Sequence, residues 1–352
     1  MSTRPLEISW FAALCDDDAE VLGDPDRAIP SSFDHCAAIA LEAERQGFDS
    51  ILLPSGYELG IDNTTFAAAI ASMTSRLRLL LAIRTGELWA PQLARQIASL
   101  DEIAEGRLDL NAISSPLPGE ELDSASRYQR TAAVLGALDD LLGGTSTAIG
   151  DATVAPPRIA RTQARRPPFY FGGLSEEARE VAARCADVYL MWPDRLDRVA
   201  DVVQDLRRRT AHHGRALRFG YRIHVVVRRS EAAAREAAAE LVASIEDAAG
   251  AAVRSKALDS GSVGVARQTE LRDGADDAGY VDGVVFTGIG RARSGCGAAI
   301  VGTPAQVKDY LSELSNLGME AVILSGYPHI EECRRFGELV LPTLEHAPLV
   351  LR

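Results

Sequence analysis

The chain lacks the features that announce several function classes. Its five cysteines, Cys15, Cys36, Cys185, Cys296 and Cys333, are odd in number, far apart, and form no CxxC or Cys/His ligand spacing. Structural zinc and a disulfide framework are therefore not expected; reduced thiols in a cytoplasm are. Excess positive charge is missing too. A net charge of −13 argues against nucleic acid or an anionic membrane as partner, since both need a basic footprint. A local arginine cluster can still bind an anion inside so acidic a chain. No apolar run approaches the roughly 20 residues that span a bilayer. Met1-Ser2-Thr3-Arg4-Pro5 leads straight into a strand-like run, without the apolar core of a signal peptide. No P-loop or GxGxxG is present, and no metal motif or serine–histidine–acid triad stands out.

What is present is an alternation of strand-like and helix-like segments through 352 residues of ordinary globular composition, 47% hydrophobic and 25% charged. Strands are expected at Leu6 to Ala13, Ser50 to Leu53, Leu77 to Ile83, Leu108 to Ile113, Phe169 to Phe171, Val188 to Met191, Phe219 to Val227 and Ala321 to Leu324. Helices are expected between them at Phe33 to Gln46, Thr65 to Thr74, Gln92 to Glu105 and Ser126 to Leu142. Gly143 to Pro168 reads as a loop with room for a small hairpin. Eight strands with intervening helices make an α/β (β/α)8 TIM barrel the leading architecture, with a doubly wound sheet as the alternative. The expected organisation is one barrel domain over 1–352.

The region from Ser230 to Gly302 breaks the alternation. A long Ala/Glu-rich helix, Glu231 to Val253, gives way to a Gly/Asp/Ser-rich stretch from Asp259 to Gly283 without helical or strand period. An insertion at about 255–300, just before the last strand, is expected to form a lid over the barrel mouth.

Four constellations could carry chemistry. Arg222 and His224 lie two apart in the seventh strand, so their side chains share a face. Both are unusual on a packed face, although carboxylates inside the barrel could satisfy them. Gly288 to Gly297 is glycine-rich and carries Arg291 and Arg293, which suits a clamp for an oxyanion, or simply a solvated turn. Phe171-Gly172-Gly173-Leu174-Ser175 joins a strand to a helix start, which suits phosphate, unless Ser175 is only an N-cap. Ser325-Gly326-Tyr327-Pro328-His329 ends the last strand and presents a phenol and an imidazole where barrels keep their chemistry. Cys296, between glycines, reads as a packing residue. His35, His212, His213 and His346 read as surface residues.

Together these segments resemble the bacterial luciferase-like monooxygenases, and among them the two-component alkanesulfonate monooxygenases. Ala94-Arg95-Gln96-Ile97-Ala98-Ser99-Leu100-Asp101, Glu105-Gly106-Arg107, Ser126-Arg127-Tyr128 and Asp187-Val188-Tyr189-Leu190 extend the match, which runs in order from about Ile8 to Pro342. The resemblance implies a barrel that takes reduced FMN from a separate NAD(P)H-dependent flavin reductase. Oxygen adds to that flavin as a peroxy adduct and oxygenates the substrate. In the sulfonate branch the products are an aldehyde and sulfite.

Carried over by position, Arg222, His224, Arg293, Tyr327 and His329 are the implied catalytic residues, with Arg293 on the lid. Gly173, Leu174 and Ser175 would bind the FMN phosphate near Tyr128, and Ala82 and Asn111 would line the isoalloxazine. Three positions depart from the branch. Gly56-Tyr57-Glu58-Leu59-Gly60 replaces a loop that carries cysteine, Cys15 stands where a histidine is usual, and Ser124 and Ser126 replace His and Glu. Cys15, Tyr57 and Glu58 are thus the expected substrate-side residues. Glu58, Asp62 and Glu87 add negative charge around the mouth, which would repel a sulfonate unless they face solvent. An alkanesulfonate is the best single substrate. The alternatives are a tailoring oxygenase of secondary metabolism, acting on an amine-bearing or carrier-bound metabolite, and a flavin- or deazaflavin-binding protein without oxygenase activity. A homo-oligomer, dimer or tetramer, is expected.

Overall fold

The computed structural model describes residues 5–57, 60–159, 165–245, 262–293 and 295–349. Eight parallel strands form its centre: β1 Glu7–Phe11, β2 Ser50–Leu53, β3 Arg78–Arg84, β4 Leu108–Ile113, β5 Phe169–Gly172, β6 Val188–Met191, β7 Arg218–Val227 and β8 Met319–Ser325. Each pairs with its successor and β8 pairs with β1, so the ring closes. The expected TIM barrel is therefore the fold. β2 and β7 show why the sequence reads as it does. Helices cover one face and the barrel interior covers the other, so Ser50–Leu53 is buried at every position and β7 at all but its first.

The helices outside the ring begin with α1 Phe33–Gln46, α2 Asn63–Met73, α3 Ala90–Ile103, α4 Ser124–Leu142, α5 Glu176–Cys185 and α6 Leu196–His212. Several starts are fixed by side-chain caps: Ser32, Asp62, Asp123 and Ser175 each accept the backbone N–H three residues on. The expected hairpin is present as Thr147–Ile149 paired with Ala152–Val154.

The described part of the insertion holds more regular structure than its composition implies. α7, Glu231–Leu241, is capped at Val242 and so stops short of the expected Val253; residues 246–261, which include the last eight of that expected helix, lie outside the described residues. The stretch expected to lack period contains α8, Val263–Asp273, in which Leu271 is the buried residue. One buried side chain in three turns leaves no apolar stripe to read. The chain then folds back onto β7. Tyr280–Val281 and Val285–Phe286 form an antiparallel pair, Val285–Phe286 joins Ala299–Gly302, and Ala299–Gly302 runs parallel to His224–Val227. α9, Pro304–Leu317, opens with a capping box at Thr303 and Gln306 and leads into β8; α10, His329–Leu339, follows it. Neither α9 nor the added strands were anticipated from the sequence.

The barrel interior is polar at its N-terminal end. Glu7, Ser50 and Tyr170 converge there, beside Arg78 paired with Asp109 at 2.7 Å. Glu7 accepts the Leu349 N–H at 2.6 Å, so the C-terminal segment closes this end. Burial, reinforced by Asp109, pushes the Glu7 carboxyl up to about 7. The opposite end is the mouth.

Candidate active site

β7 and β8 build the centre of the mouth. Their register sets Arg222 opposite Ile323 and His224 opposite Ser325, with both polar residues of β7 turned inward as their spacing requires. Ser325 Oγ lies 2.7 Å from Arg222 Nη2 and 2.6 Å from His224 Nδ1. A guanidinium only donates, so Ser325 accepts from Arg222; the Cys296 carbonyl beside Nε2 only accepts, so the neutral ring leaves Nδ1 to take the Ser325 proton. Nε2 therefore carries the imidazole proton and donates to the Cys296 carbonyl at 3.1 Å. Burial, then the charges of Arg222 and Arg293, hold His224 well below the ordinary histidine range, which agrees with this neutral tautomer. Arg222 is only 5% exposed. It also donates to the Ile223 carbonyl and lies over the Phe11 ring at 4.5 Å, and no carboxylate pairs with it among the described residues.

The insertion and the end of β8 add the rest. Arg293 donates to Tyr327 Oη, and its other terminal nitrogen lies 3.5 Å from Asp17 Oδ2. Burial opposes the Arg293 charge, but Tyr327 and Asp17 outweigh it and its pKa moves up. Burial raises the Tyr327 phenol in spite of Arg293. The Tyr327 ring is 5.3 Å from His224 and 5.1 Å, edge-on, from His329. The peptide Tyr327–Pro328 is cis. His329 is fully buried, with Nδ1 2.9 Å from Asp18 Oδ1 but out of line for a hydrogen bond, while its backbone N–H donates to the same carboxylate at 3.1 Å. His329 Nε2 has no partner among the described residues. Burial would raise Asp18, but the charge of His329 and hydrogen bonds from His329 and His35 hold it below the usual carboxylate range.

The structure thus brings Arg222, His224, Arg293, Tyr327 and His329 into one continuous group. Cys15 adjoins it, with burial and Asp17 pushing its thiol up to about 12, so it is a neutral packing and contact group. Cys296 is buried and its thiol also raised by burial, which fits packing rather than attack. Tyr57 stands apart at 65% exposure on the loop after β2, and Glu58 lies outside the described residues. Asp62 caps α2 through the Thr65 N–H, so its carboxylate is engaged locally. His35 and His346 are not free surface residues: they are half-buried and pair with Asp18 and Asp49.

The other expected set lies across the ring on β3 to β5. Ala82 and Asn111 are register partners, and Asn63 Nδ2 donates to the Ala82 carbonyl at 2.7 Å. Gly173 has φ +143°, and a Cβ there would sit 2.7 Å from Ala178 Cβ and 3.3 Å from Tyr128 Oη. Tyr189 Oη holds the Gly173 carbonyl. Ser175 caps α5, so Gly173, Leu174 and Ser175 form an open backbone cradle at a helix N-terminus with a phenol beside it. Those groups fit the phosphate of a flavin nucleotide. Ala82, with only a methyl group, and Asn111, with an amide, are residue types that suit the edge of a planar ring.

Sequence reasoning passed over Asp17, Asp18 and Arg84. The acidic run Asp16-Asp17-Asp18 directly after the first strand was the available signal, since the ends of barrel strands reach the mouth.

A family model described as luciferase-like monooxygenase matches residues 9–321. The chain is 52% identical, over 99% of both chains, to a sulfoquinovose monooxygenase from Novosphingobium aromaticivorans. It is 45% identical to a sulfoquinovose monooxygenase from Agrobacterium fabrum, covering 97% of this chain and 91% of the relative. Among solved structures it resembles a long-chain alkane monooxygenase with a TM-score of 0.79 at 18% identity, covering 99% of this chain and 94% of that one.

Proposed function

Because the chain belongs to the luciferase-like monooxygenase family, we propose that it uses reduced FMN and O2 to oxygenate a sulfonate, and that the sulfonate is borne by a sugar, sulfoquinovose. The observation that carries the sulfonate is Arg222, a guanidinium 5% exposed whose described partners are all neutral. A buried cation without a matching carboxylate is costly unless a ligand brings the anion. The sugar comes from the two relatives, which narrow the alkanesulfonate expected from the sequence.

Gly173, Leu174, Ser175 and Tyr128 would hold the FMN phosphate, with the ring against Ala82 and Asn111. Reduced FMN bound there, delivered by an NAD(P)H-dependent flavin reductase, would supply the two electrons that activate O2. Arg222 and Arg293 hold the sulfonate. Tyr327 Oη accepts from Arg293, so its own proton is not spent on that bond and can be given to a developing oxyanion. His224 stays neutral and keeps Arg222 aimed through Ser325. The insertion that brings Arg293 acts as a lid that excludes water. One oxygen atom enters the carbon bearing sulfur, the C–S bond breaks with its electron pair leaving on sulfite, and an aldehyde remains. The second oxygen leaves as water.

The test is sulfite release from sulfoquinovose by the protein with FMN, NADH, a flavin reductase and air. Sulfite should appear with NADH oxidation in about equal amounts. No sulfite from sulfoquinovose or from alkanesulfonates of any length would overturn the proposal.

A further inference from the structure

Directly across the ring from β7, the end of β3 carries a guanidinium that the chemistry above does not use. Arg84 is two residues past Ala82, so it too points inward. Its side chain is only 10% exposed. Nε donates to Ser55 Oγ at 3.2 Å, Nη1 to Ser115 Oγ at 2.5 Å and Nη2 to the Ser55 carbonyl at 2.8 Å. Among the described residues the carboxylate that pairs with it is Glu87, at 3.8 Å and 38% exposed. Arg84 is the last residue of β3, so it stands at the C-terminal end of the strand, where the barrel opens.

The directions of these hydrogen bonds decide what the group offers. Each serine oxygen accepts from the arginine, so each hydroxyl proton remains available, and no acceptor holds either among the described residues. The guanidinium has two further N–H groups beyond the three in use. Glu87 adds an acceptor. The two segments that carry these partners also carry exposed aromatics, Tyr57, 65% exposed and two residues after Ser55 in sequence, and Trp89, 61% exposed and two residues after Glu87. An anion accepts hydrogen bonds only, and Glu87 would repel it. A chain of hydroxyls both donates and accepts, and its C–H faces pack on aromatic rings.

We propose that Arg84, Ser55, Ser115 and Glu87 form the hydroxyl-binding half of the substrate site, opposite the sulfonate-binding half at Arg222 and Arg293. This rests on the sugar-sulfonate reading above. Arg84 is then a specificity residue, and it separates a sugar sulfonate from an alkyl chain of the same length.

The experiment compares kcat/KM for sulfoquinovose and for hexanesulfonate, by sulfite release, in the native protein and in Arg84→Met, Glu87→Gln and the double variant Ser55→Ala/Ser115→Ala. FMN affinity is measured alongside. The sugar-to-alkyl ratio should fall about 10- to 100-fold in Arg84→Met and about tenfold in the other two, the loss expected for charge-assisted bonds to hydroxyls. FMN affinity should not account for the fall. Equal losses on both substrates, or a loss that follows FMN affinity, would overturn the subsite and assign Arg84 to the scaffold or the flavin. If Arg84→Met fails to fold, the ratios in Glu87→Gln and in the serine pair decide the question in its place. Native protein that releases no sulfite from either compound would instead refute the underlying reading.

Discussion

Ser325→Ala tests the centre of the mouth at one atom. The lost Oγ is 2.7 Å from Arg222 Nη2 and 2.6 Å from His224 Nδ1. A hydrogen bond to a charged group contributes about 1.5–3 kcal/mol, and a buried acceptor left bare costs about 1–3 kcal/mol more. The two are not additive at one site, so a stability loss of about 3 kcal/mol is expected. At roughly 2 °C per kcal/mol, the melting temperature should fall by about 6 °C. Catalysis should suffer more than folding. The imidazole loses its tautomer lock and the guanidinium its aim, and such misplacement costs on the order of 100-fold in kcat/KM. Thermal melts, sulfite-release kinetics and 15N-histidine NMR read the three effects separately. In the native protein the His224 resonance should show a bare Nδ1 and a protonated Nε2, unchanged from pH 8 to 6.5. A native spectrum with Nδ1 protonated would refute the directed chain from Arg222 to Cys296. So would a Ser325→Ala enzyme with native kcat/KM.

Glu7 carries a raised carboxyl, from 4.5 to about 7, so its contribution is full below pH 4.5 and is lost as pH rises through 7. Glu7→Gln should therefore gain about 3 kcal/mol over the native protein at pH 8 and little at pH 4.5 in urea unfolding; an equal difference at both would show ordinary titration. His224 has the opposite sign. Its contribution is present above the ordinary histidine value of 6.5 and falls as the pH drops below it, so His224→Gln should flatten the acid limb of the stability curve. Gly173→Ala must strain a φ of +143° and press Ala178, and FMN affinity by fluorescence quenching should drop at least about tenfold with the far-UV spectrum intact. Unchanged affinity would move the phosphate elsewhere.

The barrel was legible because its strands are short apolar runs at regular intervals, and four of them, Ser50–Leu53, Leu108–Ile113, Val188–Met191 and most of β7, are found where the pattern put them. The inward pairing of Arg222 and His224 followed from period two alone. Illegible were contacts between distant segments. Nothing local to Asp18 shows that it will meet His329, 311 residues away. Nor does Ser325 announce that it will sit between two residues of another strand. α8 was missed because its anchoring is a cap at Ser262 and a single buried leucine, not a stripe. Arg84 was passed over because an arginine at a strand end reads as solvent-facing until its serine partners are seen on two other loops.

The bond from His224 to the Cys296 carbonyl joins residues 72 positions apart and pins the point where the excursion re-enters the barrel. Loop closure grows only with the logarithm of length, so doubling the length of this excursion adds about 0.6 kcal/mol. Descendants of this chain can therefore lengthen or rewrite the outer segment at little cost while Cys296 stays anchored. The architecture separates a part that evolution can vary, the excursion between β7 and Cys296, from a part it must leave in place.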